Sequence, residues 1–290
     1  MSIGDQPSSP EEKMHASEAD KKGGAIGEDM ERVYGGYFGR EDVAEDFAES
    51  VRNIEGELSD TRPLIVYEIG ANTGVVGEKV SEFLEEDEIE HRLIISDINQ
   101  EAVTDNPNPE TAKIFTENKN MRLPDKGSEL VIARSVTHYE PSEEGMIQVL
   151  DEVNRVLTED GIFVNQAVSF DNEDEVNMLS GLHEDIVDKD MNVTTSEENW
   201  NHHEKVFDNV EVSDVEPPVL AGEEDGFYER YKDTLEEKGI SKQETIDRVR
   251  KYIKNTPQEK RPHVWLSEEL PEDEAYEGGF GWGVPYEIFI

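Results

Sequence analysis

The groups best placed for chemistry are concentrated in the run Ile65-Val66-Tyr67-Glu68-Ile69-Gly70-Ala71-Asn72-Thr73-Gly74-Val75-Val76-Gly77. A short apolar strand runs into a glycine-containing turn, and Val75, Val76, Val80, Phe83 and Leu84 then mark one face of a helix. Glycine lets the backbone approach a ligand and adopt positive φ. Asn72 also tolerates the left-handed region. In open parallel sheets, ligands lie at the carboxyl ends of strands, beside the point where strand order reverses. Glycine turns of this kind also occur as plain packing turns, so the loop alone leaves both readings open. A second acid follows the next apolar run, Leu93-Ile94-Ile95-Ser96-Asp97-Ile98-Asn99. Asp97 could accept hydrogen bonds from ribose hydroxyls, or cap a helix starting at Gln100. Its place at the expected switch-point edge favours the ribose role.

Other reactive side chains carry weaker signals. His183, His202 and His203 have no i, i+4 histidine pair or fixed carboxylate pattern, so no metal is expected, and the last two read as solvated linker residues. Cysteine is absent, which excludes disulfides, thiolate zinc sites and a cysteine nucleophile. Residues 242–261 hold Lys242, Arg248, Arg250, Lys251, Lys254, Lys260 and Arg261 against Glu244, Asp247 and Glu259. That reversal of local charge would suit a lid attracting an anionic acceptor. Bases paired with the acidic body, or lining a solvated helix face, are the preferred reading. Phe227, Tyr228, Tyr231 and Tyr252 could line an acceptor pocket, although such a stripe is more often core. The stretch Tyr34-Gly35-Gly36-Tyr37-Phe38-Gly39 either folds over a ligand or forms a packed turn.

These residues need a scaffold, and the apolar pattern supplies one. Strands are expected at Leu64–Glu68, Leu93–Ser96, Ile114–Phe115, Leu130–Ala133 and, opened by Gly161, Ile162–Val168. Helical stripes fall between them: Val43, Phe47, Val51 and Ile54; then Met146, Val149, Leu150, Val153, Val156 and Leu157; then Val176, Leu179, Leu182 and Ile186. Short apolar strands alternating with helices predict an α/β fold with a doubly wound, mostly parallel sheet. Val210 and Val212 suggest a half-exposed strand, and a final strand is expected over residues 282–290, with Pro285 demoting it to an edge or bulge. Between them the pattern gives an αα-hairpin lying over the sheet, with Gly239 ending its first helix and Ser241-x-x-Glu244 opening the second.

The chain of 290 residues carries 70 acids against 27 bases, a formal charge of -43. Such a field repels nucleic acid unless a local basic patch reverses it, and residues 242–261 keep that route open. Self-repulsion of this size strains a compact state in dilute buffer, and is screened at molar salt, where the Debye length is about 3 Å. A cytoplasmic protein of a salt-accumulating halophile is therefore expected. No apolar h-region occupies the first thirty residues, so no secretory signal is expected. The apolar runs are strand-sized, so no membrane span is expected either.

Taken in order, Glu68-x-Gly70-x-Asn72-x-Gly74, Ser96-Asp97-Ile98, Leu123-Pro124-Asp125-x-Gly127-Ser128-Glu129-Leu130-Val131, and Gly161-Ile162-Phe163-Val164 resemble the class I S-adenosylmethionine-dependent methyltransferases. The match covers about residues 40–170 and the last strands, with Asn72 standing where the family's middle glycine is usual. The resemblance implies a Rossmann-like sheet ending in an antiparallel strand pair, S-adenosylmethionine as cofactor, and methyl transfer by in-line displacement. It places Glu68 near the methionine amino group, the backbone of Gly70, Ala71, Asn72 and Gly74 along the sulfonium and ribose, and Asp97 on the ribose hydroxyls. Ile98 would flank adenine, Asn120 with Met121 would meet the adenine edge, and Arg134 and Ser135 would line the methionine end. His138 and Tyr139 sit where substrate-facing residues occur, although a packed or capping role is preferred for His138, and no catalytic base is assigned. The expected organisation is a disordered acidic tail (1–29), a methyltransferase core (30–221), a helical insertion or lid (222–265) and a strand completing the sheet (266–290). The acceptor is expected to be a small molecule rather than a macromolecule. Two competing readings are a nicotinamide-dependent oxidoreductase, which the Gly70-x-x-x-Gly74 spacing fits poorly, and a non-catalytic regulatory protein of the same fold.

Overall fold

The computed structural model describes residues 41–52, 63–137, 140, 142–170, 172–187, 194–215, 219–220, 228, 231–261, 264–266, 280–283 and 286–290. The expected tail, the Tyr34–Gly39 stretch, His138, Tyr139 and Phe227 lie outside the described residues.

Helix α1 (Glu41–Arg52) precedes β1 (Leu64–Ile69), α2 (Val75–Glu86), β2 (His91–Asp97), α3 (Gln100–Asp105), β3 (Ala112–Phe115), β4 (Ser128–Arg134), α4 (Glu143–Val156), β5 (Leu157–Phe170) and α5 (Glu173–Val187). Then come β6 (Thr194–Thr195), α6 (Ser196–Glu204), β7 (Val212–Val215), β8 (Val219–Leu220), α7 (Lys232–Glu237), α8 (Lys242–Asn255), β9 (Val264–Leu266), β10 (Phe280–Gly283) and β11 (Tyr286–Phe289). The main sheet runs β3-β2-β1-β4-β5-β11-β7, with β6 beside β5. Strands β1 to β5 are mutually parallel, and β11 inserts antiparallel between β5 and β7. This is a Rossmann-like methyltransferase fold. Strand order reverses between β1 and β4, which puts the switch point at the carboxyl end of β1.

Period-two alternation divides the strands between two cores. Leu64, Val66, Leu130 and Ile132 pack with Phe47 and Val51 of α1 and Val76, Val80 and Leu84 of α2. Tyr67, Ile69, Val131 and Ala133 face the other way, onto Met146, Val149, Leu150, Val153 and Val156 of α4. Burying each such side chain contributes ~1.5–3 kcal/mol. That sum, rather than intrinsic propensity, sustains α4, since an isolated helix of its 14 residues would be marginal in water. Ser142 caps α4 by accepting from the Gly145 amide at 3.1 Å.

Three elements differ from expectation. β5 starts at Leu157, directly off α4, and a register shift opposite Ser128 to Leu130 absorbs the residues ahead of Gly161. The single C-terminal strand is two: β10 joins a separate three-stranded sheet, β8-β10-β9, and β11 joins the main one. Pro285, which has no N–H for a ladder, falls between them in sequence. The hairpin of α7 and α8 rests against α5, and α8 also meets β9.

Candidate cofactor site

β1 ends in a loop with three left-handed residues spaced two apart: Gly70 (φ 59°), Asn72 (φ 51°) and Gly74 (φ 82°). Asn72 fills its position because asparagine is among the side chains that tolerate this region. The loop is tied down by the Ala71 N–H donating to the Ser96 carbonyl at 2.9 Å and the Gly74 N–H donating to the Ala71 carbonyl at 2.8 Å. Space and conformation both select glycine. A Cβ at Gly70 would lie 2.6 Å from a Val136 methyl, and one at Gly74 would lie 2.8 Å from Asn106 Nδ2 and 3.0 Å from Ile95 Cδ1.

The Asp97 carboxylate turns inward onto this loop. Oδ2 accepts from the Asn72 amide at 2.9 Å and Oδ1 from the Asn99 amide at 2.8 Å. A carboxylate has about four lone-pair sites, so the group can hold the loop and still accept a further donor. Burial raises its pKa, and the backbone amides of Asn99, Asn72 and Ile98 pull it back. The capping role open to Asp97 belongs to Asn99, whose Oδ1 accepts from the Glu101 and Ala102 amides at 3.0 and 3.2 Å. Asn99 stands directly before Gln100 and reaches the first free amides of α3, whereas Asp97 is spent on the loop.

Glu68 is buried at 3% exposure, and its Oε2 accepts from the Gly77 amide at 3.0 Å in the first turn of α2. Burial pushes its pKa up to about 8, against the pull of Gly77 and Arg134, with Asp97 and Glu78 adding to the rise. Gly77, which closes the glycine-containing run in the sequence without a role of its own, is what admits that carboxylate, since a Cβ there would sit 2.5 Å from Oε2. The chain offers a signal for this only in the Glu68 to Gly77 spacing, which has no meaning until strand and helix are packed.

At the end of β4, Arg134 is buried and its Nε donates to Gln166 Oε1 at 2.9 Å. Ser135 is left-handed (φ 55°) and 3% exposed. Its amide donates to the Gln166 carbonyl at 2.8 Å, and its Oγ has no hydrogen-bond partner among the described residues. A buried hydroxyl without a partner is costly unless a ligand completes it. Ile98 is half-buried beside Asp97. Met121 is sunk in the core on the α4 side, with exposed Asn120 next to it. The structure thus brings Glu68, Gly70, Ala71, Asn72, Gly74, Asp97, Arg134 and Ser135 to one end of the sheet.

His183, His202 and His203 are not solvated. His202 and His203 are buried on α6, and His203 stacks on Phe289 with centroids 4.2 Å apart and planes 6° from parallel. Its Nδ1 lies 2.8 Å from the Asn199 carbonyl and its Nε2 3.0 Å from Asn165 Nδ2, while burial pulls its pKa down to about 4. The fold packs α6 against β5 and β11, which the polar sequence of that helix conceals. Among the described residues no group of histidines and carboxylates is arranged to hold a metal. In the basic segment, Arg248 pairs with Glu244 at 2.5 Å, Lys260 with Asp174 at 3.1 Å, and Arg261 is buried with its Nε donating to the Thr256 carbonyl at 2.8 Å. Those three bases are internal partners of acids and carbonyls. Among the described residues no helix is long and apolar enough to cross a membrane.

No protein-family model matches the sequence. No curated protein matches it either. Solved structures do. The YcgJ protein of Bacillus subtilis superposes with a TM-score of 0.59 at 12% identity, covering 84% of this chain and 95% of that one. A protein of Bacillus halodurans C-125, provisionally assigned as a methyltransferase, also scores 0.59 at 12% identity, covering 84% and 96%. At that identity the likeness establishes a shared fold.

Proposed function

We propose that this chain is an S-adenosylmethionine-dependent methyltransferase. The reading rests on one observation above the rest: the loop of Gly70, Asn72 and Gly74, held by Asp97 at 2.9 Å, lies at the switch point of a sheet of this fold. The cofactor fits what is there. Asp97 has acceptor capacity left for the ribose hydroxyls. Positive φ at alternate loop residues brings bare backbone to the sheet edge, and the Oγ of Ser135, which has no partner among the described residues, together with buried Arg134 gives a hydroxyl and a cation for an amino-acid end. Ile98 and the segment of Asn120 and Met121 would bracket the base.

When bound, the cofactor supplies a methyl group on a good sulfonium leaving group. The protein's own contribution is positional: Asp97 and the loop fix the sugar, Arg134 and Ser135 fix the amino-acid end, and the methyl is presented to the acceptor at near-attack distance. Such placement can supply ~7–11 kcal/mol of effective molarity, so no general base is assigned. Glu68 braces the first turn of α2 beneath the loop rather than reaching outward. We take the acceptor to be a small molecule. We also read the charge of -43 as an adaptation to molar salt in the cytoplasm of a salt-accumulating cell.

Calorimetry with S-adenosylhomocysteine and with NAD tests the assignment. Binding of the first and not the second is expected. Binding of NAD alone would replace it with the oxidoreductase reading. Tight S-adenosylhomocysteine binding with no transfer to any acceptor would leave a regulatory protein of this fold.

A further inference from the structure

Arg155, on the last turn of α4, spends every one of its five N–H donors. Nε and Nη2 donate to the two oxygens of Glu152 at 2.9 and 2.8 Å. Nη2 also donates to the Met121 carbonyl at 3.0 Å, and Nη1 donates to the Leu123 carbonyl at 3.0 Å and to Asp125 Oδ1 at 2.8 Å. The pattern is reciprocal: Glu152 Oε2 accepts the Met121 amide at 3.0 Å, and the Arg155 carbonyl accepts the Lys126 amide at 2.9 Å. Four main-chain groups of the segment from Met121 to Lys126 are thereby bound to two residues of one helix. The other end of the loop is tied to the sugar-side acid, because the Thr116 amide donates to the Asp97 carbonyl at 3.1 Å. Thr116 Oγ1 then donates to the Asn120 carbonyl at 2.7 Å.

An exposed ion pair contributes little, and the side chains of Arg155 and Glu152 are 32% and 21% exposed. What distinguishes this pair is geometry. A guanidinium offers five donors in a rigid plane, and the loop supplies acceptors for three of them while Glu152 takes the remaining two. A lysine ammonium has three donors and no plane, so it cannot reproduce the arrangement.

We propose that Arg155 and Glu152 are positioning residues for nucleobase selection: they hold residues 116–126 as a preformed wall, so that discrimination of adenine from other bases is set from α4 rather than by ligand contact alone. This rests on the methyltransferase reading. The alternative is a staple that stabilises the fold without touching selectivity. The two differ in a ratio: the affinity for S-adenosylhomocysteine over S-inosylhomocysteine, which differs only at the base edge.

Calorimetry with both compounds is run on the 290-residue protein and on Arg155→Lys, Arg155→Met and Glu152→Gln, with Glu82→Ala on α2, whose side chain is 61% exposed and makes no contact with this network, as the variant expected to keep the ratio. Amide hydrogen exchange over residues 116–126 is measured on the same samples. Expected are a fall of roughly tenfold or more in S-adenosylhomocysteine affinity for Arg155→Lys and Arg155→Met, on the scale of charged hydrogen bonds, a ratio moving toward one, and faster exchange at Met121 and Lys126. A folded variant that keeps the wild-type ratio overturns the proposal, and faster exchange with that unchanged ratio marks a purely structural staple. Should Arg155→Met not fold, the lysine and Glu152→Gln variants decide between the same two outcomes. A wild-type protein that binds neither compound overturns the cofactor reading instead.

Discussion

Replacing Asp97 gives the sharpest test of the site. Its carboxylate has about four lone-pair sites, which the Asn72 and Asn99 amides draw on at 2.9 and 2.8 Å, with the Ile98 amide beside them. If the remaining capacity receives the ribose hydroxyls, Asp97→Ala removes the charged acceptor at a cost of about 1.5–3 kcal/mol in affinity, roughly 10- to 150-fold. The same change also frees two loop amides. Both lie at a half-buried position that water can reach, so the loss of fold stability should be modest. Asp97→Asn separates the two effects, because its carbonyl can still hold one amide while its NH2 confronts the other. The assay is calorimetry with S-adenosylhomocysteine in molar potassium chloride, with a melting curve in the same buffer. A variant that melts cooperatively and binds within about twofold of wild type, against a tenfold change per 1.4 kcal/mol, would remove Asp97 from the cofactor site.

Other perturbations probe the frame around it. Glu68 titrates at about 8 in the fold against an ordinary value of 4.5, so between those values the folded state binds the extra proton and stability declines as pH rises. Melting midpoints of wild type and Glu68→Gln from pH 4.5 to 8 should therefore converge at the acid end, with wild type falling further behind toward pH 8; parallel curves would show that Glu68 does not titrate there. Gly77→Ala puts a Cβ 2.5 Å from Glu68 Oε2, and the overpacking should cost about 1–3 kcal/mol in chemical denaturation, with an unchanged midpoint contradicting the packing. Stability should rise steeply with potassium chloride toward molar concentration, because the surface charges behind the net -43 repel one another less as the screening length shortens; equal stability in dilute buffer would count against salt adaptation.

Much of the frame was legible along the chain. Strand and helix periodicities are local, so the alternation of β1 to β5 with their helices could be read without knowing what packs where. Asn72 could be matched to a left-handed turn for the same reason, since its tolerance is a property of the residue. That an acid, Asp97, stands just beyond the apolar run of β2 could be read as well, with its role left open. The tertiary structure decided what depends on distant partners. Only the meeting of β2 with the loop after β1, 25 residues apart, turned Asp97 onto Asn72 and left the capping of α3 to Asn99. Only packing of α2 on β1 gave Gly77 its reason and raised the pKa of Glu68. The same holds for His203, whose helix reads as solvated until Phe289 lies against its ring, and for Arg155, whose five donors find their acceptors 30 to 34 residues away as well as one turn back. Sequence periodicity reports which face of an element is buried, whereas the chemistry of a buried charge is fixed by the donors that the fold brings within about 3 Å of it.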